Sequence, residues 1–72
     1  MNRYYEYLFL ENLRKSTKDS MKIDAIQSLG RIKSQKGINE LTRISCDNTQ
    51  SICVRIAAIL ALTNIGDKKF ID

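Results

Sequence analysis

Ala57-Ala58-Ile59-Leu60-Ala61-Leu62-Thr63-Asn64-Ile65 is an altered second copy of Asp24-Ala25-Ile26-Gln27-Ser28-Leu29-Gly30-Arg31-Ile32, about 33 residues further along the chain, a spacing within the range of helical repeat arrays. Alanine falls on alanine, leucine on leucine and isoleucine on isoleucine at two positions, and Met21-Lys22 falls on Val54-Arg55. A duplicated helical unit accounts for this agreement. Units of this kind stack to hold a surface in place rather than to perform chemistry, so the repeat directs attention to architecture and binding.

The flanking sequence fills out both units. Tyr4, Tyr5, Leu8, Phe9 and Leu13 recur at three- and four-residue steps, which predicts a first helix over 3–15 with one buried stripe. Ser16 to Ser20 is a polar turn rich in helix-capping residues. A second helix follows over 20–33, with Met21, Ala25, Leu29 and Ile32 on one face. Ile38, Leu41 and Ile44 mark a shorter third helix over 37–46, and Asp47-Asn48-Thr49-Gln50 makes the second polar turn. The fourth helix is expected over 51–65. Gly66 is placed to stop it, because glycine accepts the left-handed conformation common just past a helix end, leaving residues 67–72 as a short stub.

At 72 residues without proline or tryptophan, the chain reads as one domain, 1–72, near the lower size limit for an independent core. Help from oligomerisation or a partner fits that size. The longest apolar run, Ile56 to Leu62, is far below the roughly 20 residues that cross a bilayer, and no signal peptide is visible. A cytoplasmic setting is expected, with Cys46 and Cys53 as reduced thiols and a bridge across their turn as the lesser alternative. With no histidine in the chain and no CxxC spacing, no zinc site is expected.

Ser51 to Asp67 carries Val54-Arg55, the paired alanines Ala57 and Ala58, and the exit Ile65-Gly66-Asp67, with Asp47 in the preceding loop. In these features it resembles the second helix of HEAT repeats, especially the short bacterial and archaeal class related to phycobilisome-lyase repeats. The earlier copy fits through Met21-Lys22, Ala25, Leu29-Gly30 and Ile32, but has Lys33-Ser34 for Gly-Asp and Asp24 for an alanine. The resemblance covers residues 18–72 and implies an all-α, HEAT-like solenoid: a short right-handed alpha-alpha superhelix of about two antiparallel helical hairpins with a C-terminal stub. It further implies a non-enzymatic protein-protein interaction module, a small regulator or assembly factor. A chaperone-like accessory to a cofactor enzyme is a distant third reading.

In such a stack the small residues Ala25, Ala57, Ala58 and Ala61 let backbones approach, and Leu29, Leu41, Leu62 and Ile65 are the principal core candidates. At 100° per residue, Val54, Ala58, Ala61, Leu62 and Ile65 fall on one side of the fourth helix. Ile56, Ile59 and Leu60 fall on the other, with Thr63 between. Ile23, Ile26 and Gln27 occupy the corresponding places on the second helix, where the fourth would cover them. An array normally ends on a polar face, and this one does not. Ile56, Ile59, Leu60, Thr63 and Phe70 are therefore expected to meet another protein or a second copy. The alternatives are that residues 68–72 fold back over them, or that the chain is a piece of a longer array. Tyr4, Tyr5 and Tyr7, too closely spaced to share one buried stripe with Phe9, form a second candidate surface.

No catalytic constellation is legible: histidine is absent, the cysteines lack a nearby base, and no glycine-rich phosphate loop occurs. No cofactor is expected. Glu6, Glu11, Asp24 and Glu40 read as solvated carboxylates or helix-face ion pairs. The formal charge of +4 and the alignment of Lys36 with Lys69 supply the runner-up, a nucleic-acid-binding accessory protein gripping phosphates through Arg31, Lys33, Lys36, Lys68 and Lys69.

Overall fold

In a computed structural model the chain forms α1 (Arg3–Lys15), α2 (Asp19–Arg31), α3 (Ile38–Ser45) and α4 (Ile52–Ile71). It describes the backbone of residues 3–71 and the side chains of residues 4–66, and there is no strand among the described residues. α1 packs on α2, α3 packs on α4, and the most extensive helix-helix interface joins α2 to α4. Two helical hairpins are thus stacked through their second helices, as the duplicated unit requires.

Each hairpin is fixed by local chemistry. α2 has no side-chain cap at its N-terminus, where Lys18 is extended, so the capping residues of the 16–20 turn are not used as expected. Its C-terminus closes in a Schellman motif. The Ser34 N–H donates to the Leu29 carbonyl (3.0 Å) and the Lys33 N–H to the Gly30 carbonyl (3.1 Å). Lys33 takes the left-handed φ of 54°, a conformation that costs a non-glycine residue roughly 1–2 kcal/mol. α4 begins at Ser51, whose hydroxyl accepts the Val54 N–H at 3.3 Å.

The core encloses Ile26, Leu29, Leu41, Val54 and Ala58 completely, and adds Leu10, Leu13, Ala25, Ile44, Ala57, Ala61 and Ile65 around them. Leu29, Leu41 and Ile65 are buried as their spacing suggests, but Leu62 only packs partly buried at the core margin. Met21 is 54% exposed, although Val54, its counterpart one repeat later, is enclosed. Gln27 is exposed while Ile23 packs partly buried against the core.

α1 turns Glu6 inward, against the sequence reading of a solvated carboxylate. Its buried side is Glu6, Leu10 and Leu13, whereas Tyr4, Tyr5 and Tyr7 face out. The reason is a polar one. The Glu6 carboxylate accepts the Ser34 hydroxyl hydrogen and, at 3.3 Å, the Lys36 N–H, while the Gly37 N–H donates to the Ser34 hydroxyl at 3.0 Å. Glu6 is therefore a buried tie between α1 and the α2–α3 loop, not the solvated carboxylate its sequence context suggests. Tyrosines, which keep a polar tip in water, take the outer side.

α4 does not stop at Gly66. It runs through to Ile71, and no glycine adopts positive φ. The following residues contain no proline or cap to break the helix, and an interior glycine costs only about 1 kcal/mol against alanine, too little to end a helix by itself.

Gly30 and Gly66 should respond oppositely to alanine. A Cβ at Gly30 would lie 3.0 Å from both Cα and Cβ of Ala61, so Gly30→Ala is expected to destabilise the chain by about 1–3 kcal/mol through overpacking. Gly66→Ala should stabilise by roughly 0.5–1 kcal/mol. Urea denaturation of both variants checks this; a loss of stability in Gly66→Ala would place a helix end there after all.

Candidate protein-docking face

α4 has two apolar sides. Val54, Ala57, Ala58, Ala61 and Ile65 face inward and are buried. Ile52, Ile56, Ile59, Leu60 and Thr63 lie within an arc of about 100° on a helix of 3.6 residues per turn. The four aliphatic members are each at least half exposed. Burying any one of them would contribute on the order of 1 kcal/mol or more, so among the described residues of α4 the stripe is an apolar surface the core does not use. The Thr63 hydroxyl donates to the Ile59 carbonyl at 3.0 Å, which satisfies its polar hydrogen within the helix.

Sequence spacing singled out Ile56, Ile59, Leu60 and Thr63 but not Ile52. The signal for Ile52 was available: residues 52, 56, 59 and 63 follow the four- and three-residue steps of one helical face. Phe70, assigned to the same surface, lies outside the described side chains, as do Lys68 and Lys69.

Beside the stripe, Ser45, Ile52, Arg55, Ile56 and Ile59 line a shallow groove of about 130 Å³. Arg55 rises along it, and its Nε is buried without a hydrogen-bond partner. A buried N–H left unpaired costs roughly 1–3 kcal/mol. The groove therefore has mainly apolar walls, and the unpaired Nε lies enclosed beneath its surface.

The tyrosines form a separate feature on α1. The rings of Tyr4 and Tyr5 meet edge to face at 5.9 Å, Tyr5 stacks on the partly buried Phe9 at 6.4 Å, and the Tyr7 hydroxyl donates to Glu11 at 3.3 Å. α1 has its main interface with α2, whereas α4 packs on α2 and α3. The tyrosines and the α4 stripe are thus carried by helices with different neighbours.

The ion pairs of the described residues gather on Glu40 and Glu11. A polar cleft of about 380 Å³ between α1, α3 and the start of α2 includes Arg14, Lys22, Glu40, Arg43, Asp47 and Gln50. There Arg43 Nη2 sits 2.7 Å and Arg14 Nε 3.9 Å from the Glu40 carboxylate, and Lys22 Nζ donates to Gln50 Oε1 at 2.9 Å. Lys15 lies 3.8 Å from Glu11. Arg31, Lys33 and Lys36 are exposed, but Lys33 Nζ donates to the Asn64 carbonyl at 2.9 Å, so part of the basic edge serves the α2–α4 junction. Cys46 and Cys53 are both free and exposed. Among the described residues no cluster of acidic or thiol side chains could hold a metal ion, and no helix is long and apolar enough to cross a membrane.

Stacked α-hairpins with a capped inner junction and an open outer helix define a helical-repeat protein. The chain belongs to the HEAT-repeat family: a family model described as HEAT repeats matches residues 8–72. Comparison with curated proteins and with solved structures gave no match.

Asp47, the loop aspartate of the resemblance, now has a physical role. Its Oδ1 accepts the Thr49 hydroxyl at 2.6 Å and the Thr49 N–H at 2.9 Å, forming an Asx turn. These bonds favour the charged carboxylate and hold its pKa below the ordinary 3.8, the Thr49 hydroxyl contributing most. Because the folded value is lowered, the bonds contribute fully above pH 3.8 and are lost as pH falls through the depressed value. An NMR pH titration should place the Asp47 midpoint below 3.8, and Thr49→Val should raise it. An unchanged midpoint in that variant would remove the turn from the explanation.

Proposed function

We propose that this chain is a non-enzymatic docking module that acts by occupancy: its rigid hairpin pair presents the outer face of α4 to another protein. The observation that carries the reading is the stripe Ile52, Ile56, Ile59 and Leu60, left half or more exposed on a helix whose opposite side is already fully used in the core. HEAT repeats are commonly protein-interaction modules, which supports the class of function. Clustered apolar side chains that desolvate together are where interfaces gain most of their energy. A small regulator or assembly factor would act in this way. Tyr4, Tyr5 and Tyr7 offer a second contact on α1, since exposed tyrosines are enriched at interfaces.

The basic edge supports nucleic-acid binding less well. Arg31 and Lys36 are exposed, but Lys33 holds the Asn64 carbonyl, which leaves a weak foundation for a phosphate-tracking ladder.

Leu60→Asp separates the readings. It should leave the melting temperature within a few degrees, since exposed surface substitutions change stability by about 0.5 kcal/mol or less. Affinity capture from the native host, quantified against wild type, should lose the specific partner protein. Retention of that partner at wild-type level would overturn docking through α4, and salt-sensitive binding to DNA that Lys36→Glu abolishes would favour the nucleic-acid alternative.

A further inference from the structure

The two hairpins are joined along one side and open along the other. α2 and α4 share the most extensive interface, whereas α1 and α3 have no comparable packing between them. The wedge left between those first helices is the polar cleft of about 380 Å³, at the small end of the about 300–1,000 Å³ typical of small-molecule sites. It belongs to the junction inside the stack, so its contents do not depend on what precedes or follows the two hairpins.

Two contacts cross this cleft, and both run from a cation on the first hairpin to an acceptor on the second. Arg14 Nε stands 3.9 Å from the Glu40 carboxylate, and Lys22 Nζ donates to the neutral Gln50 amide oxygen at 2.9 Å. Neither cation is fully served. The nearer guanidinium on Glu40 is that of Arg43, at 2.7 Å, and Arg14 is left beyond hydrogen-bond range. With the Arg14 side chain 53% exposed, a pair of this length contributes little. Lys22 is partly buried, yet none of the ion pairs among the described residues includes it. The other carboxylate of the cleft, Asp47, turns its Oδ1 to the Thr49 hydroxyl and N–H. Three cations lining the cleft against two carboxylates leave a surplus of one positive charge.

We propose that this cleft binds a small organic phosphate, the phosphate group held between Arg14 and Lys22, with Arg43 lending donors not used on Glu40. Charge favours an anion, and geometry favours this one. The three cations reach the cleft from three different helices, so no single plane is imposed on their donors. A planar carboxylate is matched by one guanidinium fork. A phosphate monoester has three acceptor oxygens to share among separate donors, and carries close to two charges at neutral pH. Arg14 gives up only its long approach to Glu40, and Arg43 keeps its own. Lys22 exchanges a neutral acceptor for a charged one, and charge-assisted bonds are the stronger kind. Bound there, the phosphate ties α1 to α3, the two helices that the core leaves unjoined. The site is separate from the α4 stripe, so its failure leaves the docking reading untouched.

The test is a titration of the ¹⁵N-labelled full chain with phenyl phosphate at constant ionic strength, against benzoate as the planar anion. Phenyl phosphate should give saturable amide shifts around Arg14, Lys22, Arg43 and Gln50, with a Kd near about 1 mM. Arg14→Gln and Lys22→Gln should each weaken binding about tenfold, the size of one lost hydrogen bond to a charged group. Melting temperatures within a few degrees of wild type will show that both variants keep the fold. Glu40→Gln should tighten binding, because it removes a competing acceptor and a negative charge. Cations that serve only the fold would give no such gain.

Absence of saturation at about 10 mM phenyl phosphate, or shifts spread equally to Arg31 and Lys36, would overturn the site. Unchanged affinity in Arg14→Gln or Lys22→Gln, or weaker binding in Glu40→Gln, would overturn it as well. Benzoate binding as tightly as phenyl phosphate would overturn the phosphate assignment.

Discussion

Gly30 and Ala61 set the distance between α2 and α4, and the rest of the molecule is arranged around that contact. With no side chain on Gly30 and only a methyl on Ala61, the helix backbones approach so closely that a single added carbon would sit at 3.0 Å from its neighbours. The approach brings Asn64 within 2.8 Å of the Gly30 carbonyl and Lys33 within 2.9 Å of the Asn64 carbonyl. It also closes Ile26, Leu29, Val54 and Ala58 into one buried cluster. A chain this short has little core to work with, so close packing replaces bulk. The consequence for binding is direct: α4 gives its small residues to α2, which leaves its large ones, Ile52, Ile56, Ile59 and Leu60, on the outside.

The second organising element is polar. Glu6, Ser34 and Gly37 form a buried hydrogen-bonded set that ties α1 to the loop between the hairpins. It fixes the rotation of α1, and that rotation puts three tyrosines in water. The same loop holds Lys33 in the left-handed conformation so that Ser34 can turn inward. Buried polar groups that are fully satisfied specify one arrangement more sharply than apolar contacts do, which suits a hairpin whose first helix has only one main packing neighbour.

Much of this was legible in the sequence, for identifiable reasons. The duplicated stretch and its alanines gave the all-α hairpin pair and the two faces of α4, because helical periodicity and repeat register are long, redundant signals. The phase of α1 was legible only in part. Crowding alone sends Tyr4, Tyr5 and Tyr7 toward an outer surface, but the inward turn of Glu6 depends on a partner 28 residues away at Ser34, and no local pattern announces such a tie. Gly66 misled for a related reason: it carries the residue type of a helix end without the following residues that would enforce one. Met21 and Leu62 occupy core positions of the repeat, yet the first is exposed and the second only partly covered. Arg55 was visible as half of the Val-Arg pair, but the burial of its Nε without an acceptor depends on tertiary packing.

Apolar residues on the distal side of α4 stand outside the buried core, and the docking proposed for them requires that the fold not depend on them. The most direct measurement is the unfolding free energy of a triple variant, Ile56→Lys with Ile59→Glu and Leu60→Lys, by urea denaturation of the isolated chain. The account predicts a value within about 1 kcal/mol of wild type, because exposed side chains contribute little to folding. A loss of about 3 kcal/mol or more, the size expected for buried aliphatic positions, would contradict it and return that face to the core.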